Sequence, residues 1–473
     1  MTLANTTTAP THDDAFAPGR RWRHALILTL CACAALGLAA SGLHGDALAV
    51  AAIVTLCLAY WATGWLPDFL VSLLLLFLLA TTTSLGANVV FSGFTSGAFW
   101  LVFSGAVIGM GLSVTGLGER IASRLAAHCG HSYGWALGGF VVIAFLLSLA
   151  MPSTLGRIAI LIPIVLSFCE RVGLIEGRPG RTGLILATAL ASSELSSAIL
   201  PANLPNLVMA GSAETVLGIR LGYVEYARAL VPALAIVRGI VLVVVALWLF
   251  PDRLTASAVM PPTAASREMN PGQRRLLAAL ALMLGLWFTE PWHHIAAGWV
   301  GLGIALLCLG PLRLVNPEHF LKQVKLAPLW FVAAIIGMTA AVDHAGLADA
   351  LRPLLARLDL AQMPTPVVYV TLVALSLLLM FTVTSNAAPA LYTPLVPALA
   401  QGTSLPVKAV LLAQTVGVST IVLPYQAPPL VLAMALAGVT LGDATRYCVA
   451  TALLALVTVV PANALWWHLT GLL

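Results

Sequence analysis

Apolar runs of about 20 residues recur along almost the whole chain, separated by short stretches that contain Pro, Gly or charge. Only 9% of the 473 residues are charged, whereas soluble globular proteins average about 25%. So little charge cannot cover a water-facing surface, and most of the outside must face lipid. A transmembrane β-barrel would show alternating segments of about ten residues instead. The sequence therefore predicts an all-α polytopic membrane protein.

The apolar runs predict about 11 transmembrane helices and two re-entrant hairpins. The predicted helices lie near 24–41, 46–62, 65–85, 98–117, 182–212, 226–250, 274–290, 293–310, 328–345, 407–437 and 444–471. Two further stretches, 135–171 and 365–401, are too long for one crossing and are broken in the middle. If each of them turns back within the membrane, the chain crosses about 11 times.

The same pattern predicts the domain organisation and the orientation. It predicts a disordered cytoplasmic tail (1–23), a first helix (24–45), a first repeat (46–250), a cytoplasmic linker (251–273) and a second repeat (274–473). Of the 23 Lys and Arg residues, 16 fall in predicted cytoplasmic segments and 5 in predicted outside segments. Because basic residues concentrate in cytoplasmic loops, we expect a cytoplasmic N-terminus and a place in the cell membrane. The net charge of +5 reflects this topology and not a nucleic-acid patch.

The two halves repeat one order of broken elements. SLAMPSTLGRIAILIPIV (148–165) precedes SSELSSAILPANLPNLVMAG (192–211), and FTVTSNAAPALYTPLVP (381–397) precedes VGVSTIVLPYQAPPLVLAMA (416–435). Each half has a Ser/Thr/Asn turn before a Pro-containing arm, and then a helix interrupted by two prolines. An odd number of crossings per half would invert the second repeat, which is the architecture of secondary transporters. The alternative is that these prolines only kink ordinary spans.

Broken helices within a membrane leave peptide groups that need partners. Non-helical backbone at that depth is tolerated only where it is buried in protein or lines a wet cavity. Free N–H groups at a half-helix start favour an anion, and free C=O groups at a half-helix end favour a cation. Two such tips beside two broken helices predict a site for an anion together with small cations.

This arrangement resembles the divalent anion:sodium symporters, which carry sulfate, dicarboxylates and citrate. That family has Ser-Asn-Thr at its hairpin tips and Gly-Thr-Pro-Pro-Asn in its broken helices. Here the tips read Pro152-Ser153-Thr154 and Ser385-Asn386-Ala387, and the broken helices read Ala202-Asn203-Leu204-Pro205-Asn206 and Gln426-Ala427-Pro428-Pro429-Leu430. The resemblance implies an elevator mechanism and a homodimer. It also implies Na⁺ at the hairpin tips, where this chain replaces part of the expected oxygen ligands.

Two charges in predicted spans support two hypotheses. Arg157 follows the first tip by three residues, and Glu194 precedes the predicted break at Pro201 by about seven. Charges at membrane depth are rare and usually functional. Either Arg157 contacts the anionic substrate, or Arg157 pairs with Glu194 and replaces one sodium ion while Glu194 carries a proton. The plain alternative is a structural ion pair or a side chain that reaches the interface. Arg238, also within a span, is interpreted as packing or as reaching the interface.

The candidate site residues come from the tips, the breaks and these charges. The expected substrate ligands are Ser153, Thr154, Arg157, Asn206, Thr384, Ser385, Asn386 and Pro428. The expected ion-coupling residues are Ser153, Glu194, Asn203, Ser385, Asn386 and Gln426. The amides and hydroxyls can instead satisfy loose backbone groups. We expect no cofactor beyond Na⁺ or H⁺ as the coupling ion.

The sequence thus predicts a secondary active transporter for a dicarboxylate, citrate or sulfate, coupled to Na⁺ or H⁺. The expected partners are this small anion, the lipid bilayer and a second copy of the chain. A cation/proton antiporter of the same superfamily remains the main alternative, with Glu194 as its candidate acid. A membrane-embedded enzyme is disfavoured because no catalytic motif is found, and a channel because no ring of charge is found.

Overall fold

The computed structural model describes residues 29, 31–33, 43–151, 153–255, 268–347, 360–403 and 405–473, with residue 382 described by its backbone alone. Most of these residues are helical, and no strand occurs among them. The all-α class is therefore confirmed. The predicted tail (1–23), most of the predicted first helix (24–45) and positions 256–267 of the predicted linker lie outside the described residues.

The main helices follow the predicted order in both halves. They are α1 (Gly45–Thr63), α2 (Asp68–Thr82), α3 (Gly97–Thr115), α4 (Leu117–Ala126), α5 (Tyr133–Ala150), α6 (Thr154–Arg171), α7 (Pro179–Glu194), α8 (Leu204–Ser212), α9 (Tyr223–Leu249), α10 (Pro271–Phe288), α11 (Ala297–Leu309), α12 (Ala327–His344), α13 (Thr365–Thr382), α14 (Ala388–Tyr392, followed by Thr393–Leu395 and Val396–Gln401), α15 (Val407–Val418), α16 (Pro428–Ala437) and α17 (Leu441–Thr470). Within the described part of the chain, α1, α3, α5, α9, α12 and α17 are long and apolar enough to cross a membrane. The polytopic class is confirmed, while the total of about 11 crossings and the assignment to two inverted repeats stay predictions.

Each hairpin turns at its Ser/Thr/Asn segment. In the first hairpin (α5 and α6), Ser153 lies in extended backbone, and its hydroxyl accepts a hydrogen bond from the Gly156 amide at 3.2 Å. This N-cap starts α6. In the second hairpin (α13 and α14), the Thr384 carbonyl accepts the Ala387 and Ala388 amides at 3.0 and 3.1 Å. Local hydrogen bonds therefore close both tips.

The first broken helix differs from the expectation. Its first half, α7, ends at Glu194, so the prediction that the helix continues for about seven more residues to a break at Pro201 is wrong. Two 3₁₀ turns, Leu195–Ala198 and Leu200–Ala202, replace the last predicted helical turns. Ile199 is extended between the two turns, and Pro201 lacks the amide that would continue an α-helix through this segment. Glu194 consequently lies at the break itself.

The second broken helix has a similar break. Its first half, α15, ends at Val418, and its second half, α16, starts at Pro428 after the extended residue Ala427. A proline in the first helical turn costs no hydrogen bond, because that amide would have no partner within the helix. The two breaks therefore follow from the placement of proline in each sequence.

A π-helical segment changes the helical register within α9. Residues Val231–Val237 are π-helical, and Pro232 lacks the amide that would normally bond the Arg228 carbonyl. The indoles of Trp466 and Trp467 donate instead to the Arg228 and Ala229 carbonyls, each at 2.8 Å. Because the π-segment changes the helical register, it sets the direction in which the next turn of α9 presents its side chains.

Two apolar cores organise the described residues. The first core draws on both hairpins, α7, α9, α15 and α17. The second draws mainly on α1–α3 and α10–α12. The hairpin turns and the first break also contribute to the second core, through Met151, Ile199, Ala202 and Val383 among others. The tips therefore lie at the junction of the two cores.

Close approach at this junction requires a glycine. A Cβ atom at Gly211 of α8 would overlap Ile336 Cδ1 of α12 and lie 3.0 Å from Ala98 Cβ of α3. Next to it, the Ser212 hydroxyl donates to the Thr339 hydroxyl at 3.1 Å. At Gly211 and Ser212 the two cores thus meet through small side chains and a hydroxyl–hydroxyl hydrogen bond.

A paired carboxylate joins the loops that precede α7 and follow α9. Asp252 forms an ion pair with Arg178 and accepts the Gly180 amide at 3.0 Å and the Arg253 amide at 2.7 Å. Burial alone would raise the pKa of the Asp252 carboxyl, but the hydrogen bonds and the charge of Arg178 outweigh it and hold the pKa below its ordinary value.

Candidate functional site

Arg157 connects the first hairpin to both sides of the first break. Its side chain is fully buried, and Nη1 donates to the carbonyls of Met151 and Ala202, the latter at 3.0 Å. Nη2 donates to the Ser192 carbonyl at 2.8 Å and to the Thr154 hydroxyl at 2.9 Å. Protein oxygens therefore use both terminal nitrogens of the guanidinium. A direct contact between Arg157 and a substrate stays a prediction.

Glu194 is paired with Arg238 and not with Arg157, so the predicted Arg157–Glu194 pair is wrong. Arg238 Nη1 lies 3.3 Å from Glu194 Oε2, and the two side chains are 1% and 2% exposed. The other carboxylate oxygen accepts the Ile421 amide at 3.2 Å. Because Glu194 ends α7 and Ile421 lies in the second break, this carboxylate joins the two broken helices.

Arg238 packs against the second break, so the interpretation of this side chain as packing is confirmed and the alternative that it reaches the lipid interface is wrong. Its Nη1 donates to the Ser419 carbonyl at 2.8 Å, and its Nη2 donates to the Thr420 hydroxyl at 2.9 Å. Arg238 is the first residue after the π-helical segment of α9, which turns it inward. The signal in the sequence was available, since a charge within an apolar run had already pointed to Arg157.

The amides at the first break mainly satisfy backbone and hydroxyl groups. The Asn203 side chain accepts the Asn206 amide at 3.1 Å, which makes it the N-cap of α8, and donates to the Ser197 hydroxyl at 2.9 Å. The Asn206 side chain donates to the carbonyls of Ser197 and Ile199 at 3.2 and 2.9 Å. Both residues therefore hold the break in shape.

Gln426 plays the corresponding part at the second break. Its side-chain oxygen accepts the Val422 and Leu423 amides at 2.8 and 3.0 Å, and its nitrogen donates to the Met380 carbonyl at 3.2 Å. The hydroxyl of Ser385 donates to the Gln426 carbonyl at 3.0 Å, so the second tip contacts the break of its own half. Thr384, Ser385 and Asn386 are half-buried, and Pro428 is exposed.

A small cavity lies between the two broken helices. The centre of a water molecule can occupy about 10 Å³ of this cavity. The cavity therefore has room for about one water. Its lining residues are Ser197, Pro205, Asn206, Met209, Pro389, Gln414, Thr415 and Val418. The cavity therefore combines the first turn of α8 with the last turns of α15 and the second hairpin.

The structure brings only part of the predicted site to this cavity. Asn206 lines it, but Ser153, Thr154 and the second-tip residues 384–386 do not. Gln414 and Thr415, the polar residues that line the cavity from α15, are absent from the predicted site. A polar amide within an apolar helix was the available signal.

Comparison with known proteins yields a family match and distant relatives. The family described as "sodium:sulfate symporter transmembrane region" matches residues 20–473. The L-tartrate/succinate antiporter of Escherichia coli K12 is 26% identical over 359 residues, covering 72% of this chain and 72% of that protein. A membrane protein of Cupriavidus necator is 29% identical over 217 residues, which span 45% of this chain and 42% of that relative.

A solved structure supports the fold. The crystal structure of the YdaH transporter from Alcanivorax borkumensis superposes with a TM-score of 0.55 and 18% identity, covering 86% of this chain and 99% of that one. At this level of identity the likeness supports the fold alone.

Proposed function

We propose that this chain, which belongs to the sodium:sulfate symporter family, is a secondary active transporter for a small dicarboxylate or similar dianion. Membership confirms the resemblance inferred from the hairpin tips and broken helices. Transport of divalent anions across a membrane follows from the family and its relatives. The choice of a dicarboxylate, with citrate and sulfate as the other candidates, and the site and mechanism below are our proposal.

The cavity between the broken helices carries the assignment of the site. It lies at the N-terminal turn of α8, where helix amides and the helix dipole favour an anion. Asn206, Ser197, Gln414 and Thr415 supply polar groups from both sides. With room for about one water, the cavity is the closed form of the site, and an anion enters when α8 and α15 separate. The hairpin tips, with Ser153, Thr154, Ser385 and Asn386, line the open form.

The two apolar cores favour an elevator movement. The first core draws on both hairpins and both broken helices together with α9 and α17, and the second is built mainly on α1–α3 and α10–α12. The body built on the first core moves across the membrane against the second, and the junction at Gly211, Ser212 and Thr339 is one sliding contact. The second body forms the scaffold and the contact between two copies of the chain.

Transport is driven by the gradient of either a coupling cation, which is Na⁺ or H⁺, or a counter-anion. The coupling cation is expected from the resemblance of the hairpin tips to those of sodium symporters. The counter-anion is suggested by the relative named as an antiporter. A cation/proton antiporter would use Glu194 as a free acid, and the pairing of this carboxylate with Arg238 disfavours it.

Counterflow into proteoliposomes tests the proposal. Purified protein is reconstituted with unlabelled succinate, L-tartrate, citrate or sulfate inside, and uptake of the labelled anion is followed. Thr415→Val removes a hydroxyl from the cavity while keeping the side-chain volume, and Thr451→Val removes a buried hydroxyl of α17 that bonds the Tyr447 carbonyl at 2.8 Å.

We expect Thr415→Val to raise the half-saturating concentration about tenfold, the value of one hydrogen bond to a charged ligand. We expect Thr451→Val to transport with the wild-type value. Uptake no greater than that of protein-free liposomes for all four anions would refute the proposed function. Equal effects of the two variants would refute the site.

A further inference from the structure

Two amide side chains reach the cavity from opposite broken helices. Asn206 comes from the first turn of α8, and Gln414 comes from the last turns of α15. Asn206 is 3% exposed, and Gln414 is fully buried. An amide has a nitrogen that donates hydrogen bonds and an oxygen that accepts them. The partners of the two nitrogens therefore decide which atoms remain for a ligand.

The nitrogen of Asn206 is used by the first break. Its two hydrogens go to the carbonyls of Ser197 and Ile199, at 3.2 and 2.9 Å. Because a carbonyl can only accept, these contacts fix which end of the amide is nitrogen. The Asn206 side-chain oxygen accepts no hydrogen bond from any residue that the structure describes. It is therefore the polar atom that this side chain can offer to a ligand.

The nitrogen of Gln414 is used in a similar way. It donates to the Leu411 carbonyl at 2.9 Å and to the Thr393 hydroxyl at 3.3 Å. The same hydroxyl lies 3.5 Å from the Gln414 side-chain oxygen, which is longer than the usual limit of about 3.0 Å for a bond between oxygens. No other residue in the described part of the chain donates to that oxygen. Gln414 thus supplies a second acceptor with a weak partner.

Two acceptor oxygens require a donor from the ligand. The oxygens of an ionised carboxylate or of sulfate only accept, so they cannot pair with an amide oxygen. A hydroxyl group both donates and accepts. The cavity has room for a group of about the size of a water molecule, which is also the size of a hydroxyl.

Displacement of water makes the same distinction between ligands. A ligand group that displaces an ordered water without reproducing its hydrogen bonds loses affinity. A methylene group of a plain dicarboxylate would do so between these amides, whereas a hydroxyl in the same place keeps a hydrogen bond to an amide oxygen. The cavity therefore distinguishes ligands by a group other than their carboxylates.

We propose that the side-chain oxygens of Asn206 and Gln414 select a dianion that also carries a hydroxyl group, so that the preferred substrate is a hydroxy-dicarboxylate. This inference rests on the proposed transport of a dianion through this cavity. The substrate hydroxyl donates to one of the two oxygens and lies between α8 and α15. Plain dicarboxylates and sulfate lack this donor and bind more weakly.

Competition in proteoliposomes tests the inference on the wild-type protein. Liposomes loaded with unlabelled racemic malate take up labelled malate, while D-malate, L-malate, succinate or sulfate competes from outside. Malate and succinate differ by one hydroxyl group, and both enantiomers are used because either can present it. We expect the better enantiomer to inhibit at about a tenfold lower concentration than succinate, the upper value of one neutral hydrogen bond. Sulfate should also inhibit more weakly than malate.

Gln414→Met provides the second measurement. It removes the acceptor and keeps an unbranched side chain of similar length. We expect the inhibitory concentration of malate to rise about tenfold and that of succinate to change less than about twofold, because succinate has no hydroxyl to lose. The ratio of the two concentrations does not depend on the amount of active protein.

Gln273→Met is the matched control. Gln273 is 8% exposed, and its amide donates to the Thr115 carbonyl at 3.0 Å at the start of α10, away from the cavity. This variant removes a buried amide from the other core of the molecule. It should keep the wild-type ratio of malate to succinate.

The outcomes separate this inference from the proposed function. Wild-type protein that succinate inhibits as well as malate, or better, overturns the inference and leaves dianion transport standing. Gln414→Met protein that loses affinity equally for both anions also overturns it, because a purely structural amide would act in that way. Failure to take up any dianion overturns the proposed function itself. If Gln414→Met aggregates, the wild-type competition decides.

Discussion

We predict that the buried Arg238–Glu194 pair matters more to stability than the shorter exposed pair between Lys408 and Glu225. The buried atoms are 3.3 Å apart, and the exposed ones are 2.6 Å apart with side chains 43% and 48% exposed. Coulomb's law gives about 5 kcal/mol for the first pair at an effective dielectric constant of about 20. It gives about 1.6 kcal/mol for the second pair at the dielectric constant of water.

Desolvation and side-chain entropy change both values. Removing one partner of a buried pair strands the other charge and costs about 3–5 kcal/mol. An exposed pair contributes about 0–1 kcal/mol after screening and loss of side-chain freedom. We therefore expect Glu194→Gln to lower the free energy of unfolding by about 3–5 kcal/mol and Glu225→Gln by less than about 1 kcal/mol.

Unfolding by SDS in mixed micelles, followed by the fluorescence of the 12 Trp residues, measures both variants. A double-mutant cycle with Arg238→Gln isolates the interaction, because the double variant no longer strands a charge. We expect the double variant to lose less stability than the sum of the two single variants. Equal losses for Glu194→Gln and Glu225→Gln, or strict additivity in the cycle, would refute this reasoning.

Three further predictions follow from local geometry. Gly211→Ala should cost about 1–3 kcal/mol by overpacking, and Ile336→Val, which removes the obstructing Cδ1 atom, should restore part of the loss in thermal unfolding. Asn203→Ala should cost about 1 kcal/mol by removing the N-cap of α8, measured in the same way. Asp252 has a lowered pKa, so its ion pair with Arg178 stabilises the fold above the unfolded pKa of about 3.9. That stability is lost as the pH falls through the folded pKa, and the difference between wild type and Asp252→Asn should vanish below it in melting curves against pH.

Conservative variants control these measurements. Gly138→Ala places a Cβ atom where no atom lies within 4 Å, and it should be neutral or slightly stabilising in a helix. Asn203→Ser keeps a capping oxygen and should retain most of the stability. A loss for Gly138→Ala equal to that for Gly211→Ala would contradict the steric explanation. An equal loss for Asn203→Ser and Asn203→Ala would contradict the capping role.

The sequence alone predicted the membrane class, the turn at each hairpin tip and the approximate bounds of most described helices. These features depend on local properties of the chain. Apolar runs of about 20 residues have one stable form in lipid, which is a helix. A proline or a Ser/Thr/Asn cluster ends a helix through its own geometry and hydrogen bonds. The position of Glu194 shows the limit, because 3₁₀ turns moved the break toward it by several residues.

The partners of the buried charges were decided by tertiary structure. Arg157 and Glu194 are close in the predicted order of elements, yet Glu194 pairs with Arg238, 44 positions along the chain from it. A π-helical segment of α9 turns Arg238 toward the second break, and no periodicity in the sequence reveals that change of register. A buried charge in a membrane pairs with whichever polar groups the packing of the helices presents. The sequence determined that these charges need partners, and only the fold determined which partners they have.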